Sequence, residues 1–185
     1  MQPNPTQFEV RAAVGVYGLS EATLSLSFTP YALSDGENEM AKFENSIVIN
    51  RPVEEVFAFL SNQENNPKWQ SGSLENKKTS DGPIGVGTTY HSVSQALGRR
   101  IEGELQVTEY EPNRKYSGKS KSGSIPFELW MTFERVNGST RIDFKAEVEI
   151  GGFFKLAEPL VASMGKRQIE ADFANLKDLM EAHAV

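Results

Sequence analysis

His91 is the only histidine within the patterned part of the chain, because His183 falls in its last three residues. Imidazole titrates near neutrality, which makes His91 the natural candidate for a general base. Its neighbour Tyr90 carries a phenol able to donate or accept a hydrogen bond, and Arg99 and Arg100 carry charge suited to polarising a carbonyl. His91 and Tyr90 are therefore the candidate catalytic residues. The bland alternative is that a lone strand histidine is simply solvated. Other chemistries lack their residues: with no cysteine there is no disulfide, thiolate nucleophile or thiolate metal site. There is also no His-x-x-x-His pair, no glycine-rich phosphate loop opening a helix and no Gly-x-Ser-x-Gly elbow. Neither a metal nor a nucleotide cofactor is expected.

The elements that would position these groups are legible from periodicity. Ile47, Val48 and Ile49 read as the end of a strand over 43–50, followed by Pro52 in a first helical turn with Asn50 or Arg51 as cap. Val53, Val56, Phe57 and Leu60 recur at helical spacing and share one buried face, with Glu54 and Glu55 complementing the dipole at the helix start. Asn65, Asn66 and Pro67 then punctuate the chain, so a second short helix or a turn carries Trp69. A turn over 82–87 leads into a β-rich segment over 88–97, whose two faces are equally amphipathic and leave the orientation of His91 undecided.

Ile101, Gly103, Leu105 and Val107 alternate with polar residues in the next strand, whereas 115–121 is polar and suits a sheet edge. Ile125, Phe127, Leu129, Met131 and Phe133 alternate against Glu128, Trp130, Thr132 and Glu134. Asn137-Gly138 is a strong hairpin signal, and Ile142, Phe144, Ala146, Val148 and Ile150 form the matching face of the partner strand. Gly151 and Gly152 end the sheet. A helix from Pro159 to Ala182 would then extend about 36 Å, with Ile169, Phe173, Leu176 and Met180 as its buried stripe and Gly165 interrupting it. The fold class is thus α+β. A curved antiparallel sheet of about six to seven strands wraps a long C-terminal helix, with two short helices after the first strand.

Composition narrows the partners. The net charge is −6, of which residues 1–39 hold Glu9, Glu21, Asp35, Glu37 and Glu39 against Arg11. The remainder is nearly balanced and shows no Lys/Arg patch of the kind that releases counterions from a phosphate backbone, so nucleic acid is not an expected partner. No apolar run approaches a membrane span, and the short apolar stretch 12–19 lacks a basic start and a clean small-x-small exit. A cytoplasmic protein, monomeric or homodimeric, is expected. Residues 1–40 read as a poorly patterned, disordered extension and 41–185 as the domain, with Met40 at the boundary as an alternative start.

Four passages in this order resemble the START-like or SRPBCC superfamily, in particular its polyketide cyclase/dehydrase branch. They are Ser46 to Phe57, Asn66-Pro67-Lys68-Trp69, Gly85-Val86-Gly87-Thr88, and the terminal helix after Gly152. The resemblance implies a helix-grip fold with a pocket between sheet and C-terminal helix, which in different members takes lipids, hormones, polyketides or quinones.

On that reading Leu105, Phe127, Leu129, Met131 and Phe144, with Leu160 and Met164 from the helix, line a cavity for a small, largely apolar ligand. The plain alternative for each is ordinary core. Trp69 resembles the family's tryptophan near the pocket mouth, its alternative being a hydrophobic plug, while the register of Trp130 excludes it from the cavity. Three functions compete: a carrier or sensor of an apolar molecule, a cyclase or dehydratase using His91 or Tyr90 as proton shuttle, and a protein-interaction module contacting partners through Trp130 and the acidic extension.

Overall fold

A computed structural model describes residues 40–96, 98–149 and 158–182, with side chains from Ser163 onward in the last segment. The expected N-terminal extension, the Gly151-Gly152 break and the side chain of Leu160 lie outside the described residues.

The first strand, β1 (Met40–Ile49), leads into α1 (Val53–Ser61) and a 3₁₀ helix, Gln63–Lys68. Six strands follow: β2 (Ser73–Lys78), β3 (Thr89–Ala96), β4 (Arg99–Glu111), β5 (Lys115–Gly123), β6 (Phe127–Val136) and β7 (Ser139–Glu149). The last element is α2 (Glu158–Glu181). The strands form one seven-stranded sheet in the order β1-β7-β6-β5-β4-β3-β2, antiparallel throughout. After β1 the helical crossover carries the chain to the opposite edge, and the meander from β2 returns to pair β7 with β1.

The alternating residues of β4, β6 and β7 form strands as expected, and the turn joining the last two agrees. Asn137 and Gly138 both take positive φ, 49° and 85°, as the twist-matched hairpin turn requires. Two local expectations are corrected. Pro52 is itself the N-cap of α1, at φ −57° and ψ 145°, one residue ahead of the helix and without a side-chain cap bond. The preceding residues are held by tertiary contacts instead, the Thr140 hydroxyl donating to the Arg51 carbonyl at 2.7 Å.

Strand β5, read as an edge, lies at the centre of the sheet. Its small residues suit that place, because Gly118 sits against Leu105, and a Cβ there would meet that side chain at 3.4 Å. The edges are β1 and β2, and β2 carries no alternation that would have announced it.

Directly paired residues share a face, so the register fixes the concave side. Tyr90 pairs with Leu105, Tyr116 with Met131, Met131 with Phe144, and Phe133 with Ile142. Val53, Val56, Phe57 and Leu60 of α1 are buried with Ile49, Ile142 and Phe133. The Phe57 ring meets those of Tyr110 and Phe133 edge-on at 5.2 and 5.1 Å.

Helix α2 is fixed at three levels. At its C-terminal end Lys177 Nζ donates to the Val48 carbonyl (2.6 Å) and the Asn50 amide donates to Glu181 Oε1 (2.7 Å). In the middle, buried Asp172 accepts from the Ser71 amide and hydroxyl at 3.0 and 2.9 Å and from Gln168 at 2.9 Å. Nearer the N-terminus Gly165 lies on the Phe43 ring, where a Cβ would stand only 2.8 Å from Cε1. Phe173, Leu176 and Met180 are buried, each contributing about 2 kcal/mol of apolar transfer.

Candidate ligand-binding site

The two ends of the concave face differ. At the end covered by α1, large side chains interlock. At the other end, where β3, β4 and β5 run toward their hairpins, the inward residues are small: Ser92 and Ser94 on β3, Gly103 on β4 and Gly123 on β5. A register shift between Glu104 and Leu105 in the β4–β5 ladder bends the sheet here. Gly103 permits the close approach of the strands, since a Cβ on it would stand 2.5 Å from the Ser122 carbonyl oxygen. The result is a hollow of about 50 Å³, bordered by these residues and by Ser122, Glu102 and Glu104, and given apolar surface by Leu105, Ile101 and Phe127. That volume is well below the roughly 300 Å³ at which preformed ligand cavities begin.

The expected lining residues separate into groups. Leu105 and Phe127 border the hollow. Leu129 and Phe144 are half-buried against the core, Met131 lies within it, and the Phe144 ring is tilted against Phe173 at 5.2 Å. Met164 is 45% exposed on α2. Trp69, expected near a mouth, is enclosed edge-on against Phe173 at 5.3 Å, and its indole Nε1 has no partner.

The titratable candidates part company as well. His91 pairs with Lys77 and Glu104, and the alternation along β3 puts it on the face opposite Tyr90. It therefore points away from the concave interior. Arg100 bonds Glu102 at 2.6 Å on the exposed side, and that guanidinium holds the Glu102 carboxyl below the ordinary carboxylate range.

Tyr90 faces inward and is fully buried, as is Tyr116 on β5. Neither hydroxyl has a hydrogen-bond partner. Gln63 lies beside both, its backbone acting on Tyr90 and its side chain on Tyr116, while its Nε2 donates to the Leu60 carbonyl at 3.2 Å and its Oε1 accepts from Asn66 at 2.7 Å. Burial pushes the Tyr90 phenol up to about 12, only slightly eased by the Gln63 backbone, and pushes Tyr116 higher still, with neighbouring Tyr90 adding to the effect. An unpartnered buried hydroxyl costs about 1 to 3 kcal/mol. Sequence reasoning missed Tyr116 because its strand reads as Ser, Gly and Lys around a single aromatic.

Comparison with known families matches residues 40–181 to the one described as polyketide cyclase / dehydrase and lipid transport. The chain belongs to that family. The START-like resemblance of the four sequence passages is thereby shown, and the fold is the helix-grip. Among solved structures the chain is similar to the TTHA0849 protein of Thermus thermophilus, with TM-score 0.68 and 17% identity over 78% of this chain and 99% of that one. A START superfamily protein from Mycobacterium smegmatis gives TM-score 0.56 and 14% identity over 77% and 95% of the two chains. The Aha1 dimer from Colwellia psychrerythraea gives 0.53 and 19% over 76% and 96%. At such identities these likenesses establish the fold alone. No curated protein matches the chain in sequence. Family and fold together are those of a hydrophobic-ligand-binding helix-grip domain. Among the described residues no helix is long and apolar enough to cross a membrane.

Proposed function

We propose that this domain is a carrier or sensor that binds a small, largely apolar molecule, of lipid, polyketide or quinone-like character, on the concave face between the sheet and α2. The observation that carries this reading is the contrast along that face. The interior is packed beneath α1, and at the other end it gives way to a hollow bordered by Leu105 and Phe127. A molecule burying roughly 300 Å² of apolar surface there would gain about 7 kcal/mol before the cost of association, consistent with micromolar affinity. The hollow has to widen to admit it. The stretch of α2 from Ser163 to Ala171 buries little and has least to lose by moving.

A carrier is favoured over a cyclase or dehydratase by the placement of the polar groups. Tyr90 and Tyr116 are fully enclosed, Asp172 is engaged by Ser71 and Gln168, and His91 is on the far face. The test is native mass spectrometry of the purified full chain, followed by solvent extraction. A retained apolar molecule, or saturable binding of the neutral dye Nile red, is the expected result. Catalytic turnover of polyketide-like substrates that is lost in Tyr90→Phe would replace the carrier reading with the enzymatic one.

A further inference from the structure

We propose that the free edge of β1 docks β1 of a second copy of this chain, antiparallel about a two-fold axis at Phe43, so that two sheets join into one. The inference is independent of the ligand reading.

Two hydrogen bonds fix where the edge groups point. The Glu149 amide donates to the Pro126 carbonyl at 2.8 Å, toward β6, and Glu149 is the residue that faces Met40. Near the other end of β1 the Val48 carbonyl accepts from Lys177 of α2 at 2.6 Å. The β1–β7 register runs between these points without a shift, so Met40, Lys42, Glu44 and Ser46 turn both backbone groups away from β7. Among the described residues no hydrogen bond reaches those groups. An edge of this kind is a template for another strand.

The other edge is closed. Strand β2 is six residues long, and its Lys78 amide is taken by Glu64 Oε1 at 3.0 Å. On β1, α2 occupies only the far end, through Val48 and Asn50. The open stretch is therefore 40–46, whose midpoint is Phe43. The concave residues there, Ala41, Phe43 and Asn45, are half-buried, so α2 leaves them partly open.

Charge selects the occupant. Pairing about Phe43 sets Lys42 against Glu44 of the second copy and Glu44 against its Lys42, an isologous match made twice. Both side chains are exposed, 72% and 69%, and their present partners, Glu147 at 3.1 Å and Lys145 at 3.0 Å, lie on the β7 side. The row across the junction would read Glu147, Lys42, then Glu44 and Lys145 of the second copy, alternating in sign. A slip of two residues either way sets Lys42 against Lys42 or Glu44 against Glu44, and a slip of one turns the backbone groups out of the ladder. Only the register centred on Phe43 satisfies both.

The test is sedimentation equilibrium of the full chain, where a reversible monomer–dimer equilibrium is expected. Lys42→Glu and Glu44→Lys should each weaken the dimer roughly tenfold, because either one makes two like-charge pairs. An equimolar mixture of the two variants should recover wild-type affinity, since each then faces its complement, and so should the double variant. Glu44→Pro removes an edge donor that β7 does not use and should abolish the dimer while the far-ultraviolet circular dichroism of the sheet is kept. Should that substitution cost the fold, the charge variants decide. A chain that stays monomeric at every concentration reached, a dimer indifferent to both charge reversals, or a mixture that recovers nothing would each overturn the inference.

Discussion

The end of the sheet beneath α1 and the end bordered by the β3–β4 and β5–β6 turns are built from the same strands, yet they use those strands differently. Under α1 the inward positions carry Ile49, Ile142, Phe133 and Tyr116, and Phe57 fills the space between them. Toward the opposite end, the same strands present Phe43, Ala146, Phe127 and Gly123. Helix α2 spans both regions, tied to Val48 and Asn50 at one end and resting on Phe43 through Gly165 toward the other. On the proposed reading, stability and binding are separated along the strand direction: one end holds the fold while the other can yield.

That separation can be broken by substitution. The largest effect is expected for Leu176→Ala, which opens a cavity beneath the fully buried part of α2 and should cost about 3 kcal/mol in denaturant unfolding. Met164→Ala on the exposed part of the same helix should change stability by less than about 0.5 kcal/mol. Equal losses would mean that the two halves of the helix are not distinct.

Leu105→Ala should cost somewhat less, about 2 kcal/mol, because it extends a hollow that already exists. It should also admit bulkier dyes, read as tighter Nile red binding. Gly165→Ala forces a methyl group into the Phe43 ring and should cost about 1 to 2 kcal/mol. Phe43→Leu in the same chain should restore most of that loss, as a double-mutant cycle would report.

The smallest effect is the one with pH. Because burial raises the Tyr90 phenol from 10.0 to about 12, the fold favours its neutral form. Its contribution is whole below about pH 10 and is lost as pH climbs through about 12, so Tm should fall across that window. Tyr90→Phe should flatten part of the fall.

Most of the fold was legible because long strands with one dry face announce themselves. The Phe127-to-Phe133 alternation, the Asn137-Gly138 turn and the Val53-to-Leu60 stripe each carry enough signal alone. Strand β2 did not, since Ser-Leu-Glu-Asn-Lys-Lys at an edge buries too little to impose alternation. Strand β5 misled for the opposite reason. Its serines and glycines mark close packing among larger neighbours on both sides, and small polar residues look the same at a sheet edge as at a crowded centre.

The site was less legible than the fold. The direction of His91 depended on a register that single-strand composition cannot supply, and pairing with Lys77 and Glu104 decided it. Leu105 and Phe127 were reachable from alternation alone. The proximity of Tyr90 to Tyr116 was not, because they stand on strands separated by β4.

The strand order also imposes a timetable. Strand β1 is made before the other six, but among the described residues it pairs with β7 alone, in a register that sets Met40 against Glu149. Until the ribosome has released the chain through β7, the amides and carbonyls of β1 have no ladder to join. The anchors that α2 needs at Val48 and Asn50 are correspondingly late. The β1–β7 pairing is thus a non-local contact of the kind that slows sheet proteins. A hydrophobic molecule present before it forms would meet the concave face before its cover is in place.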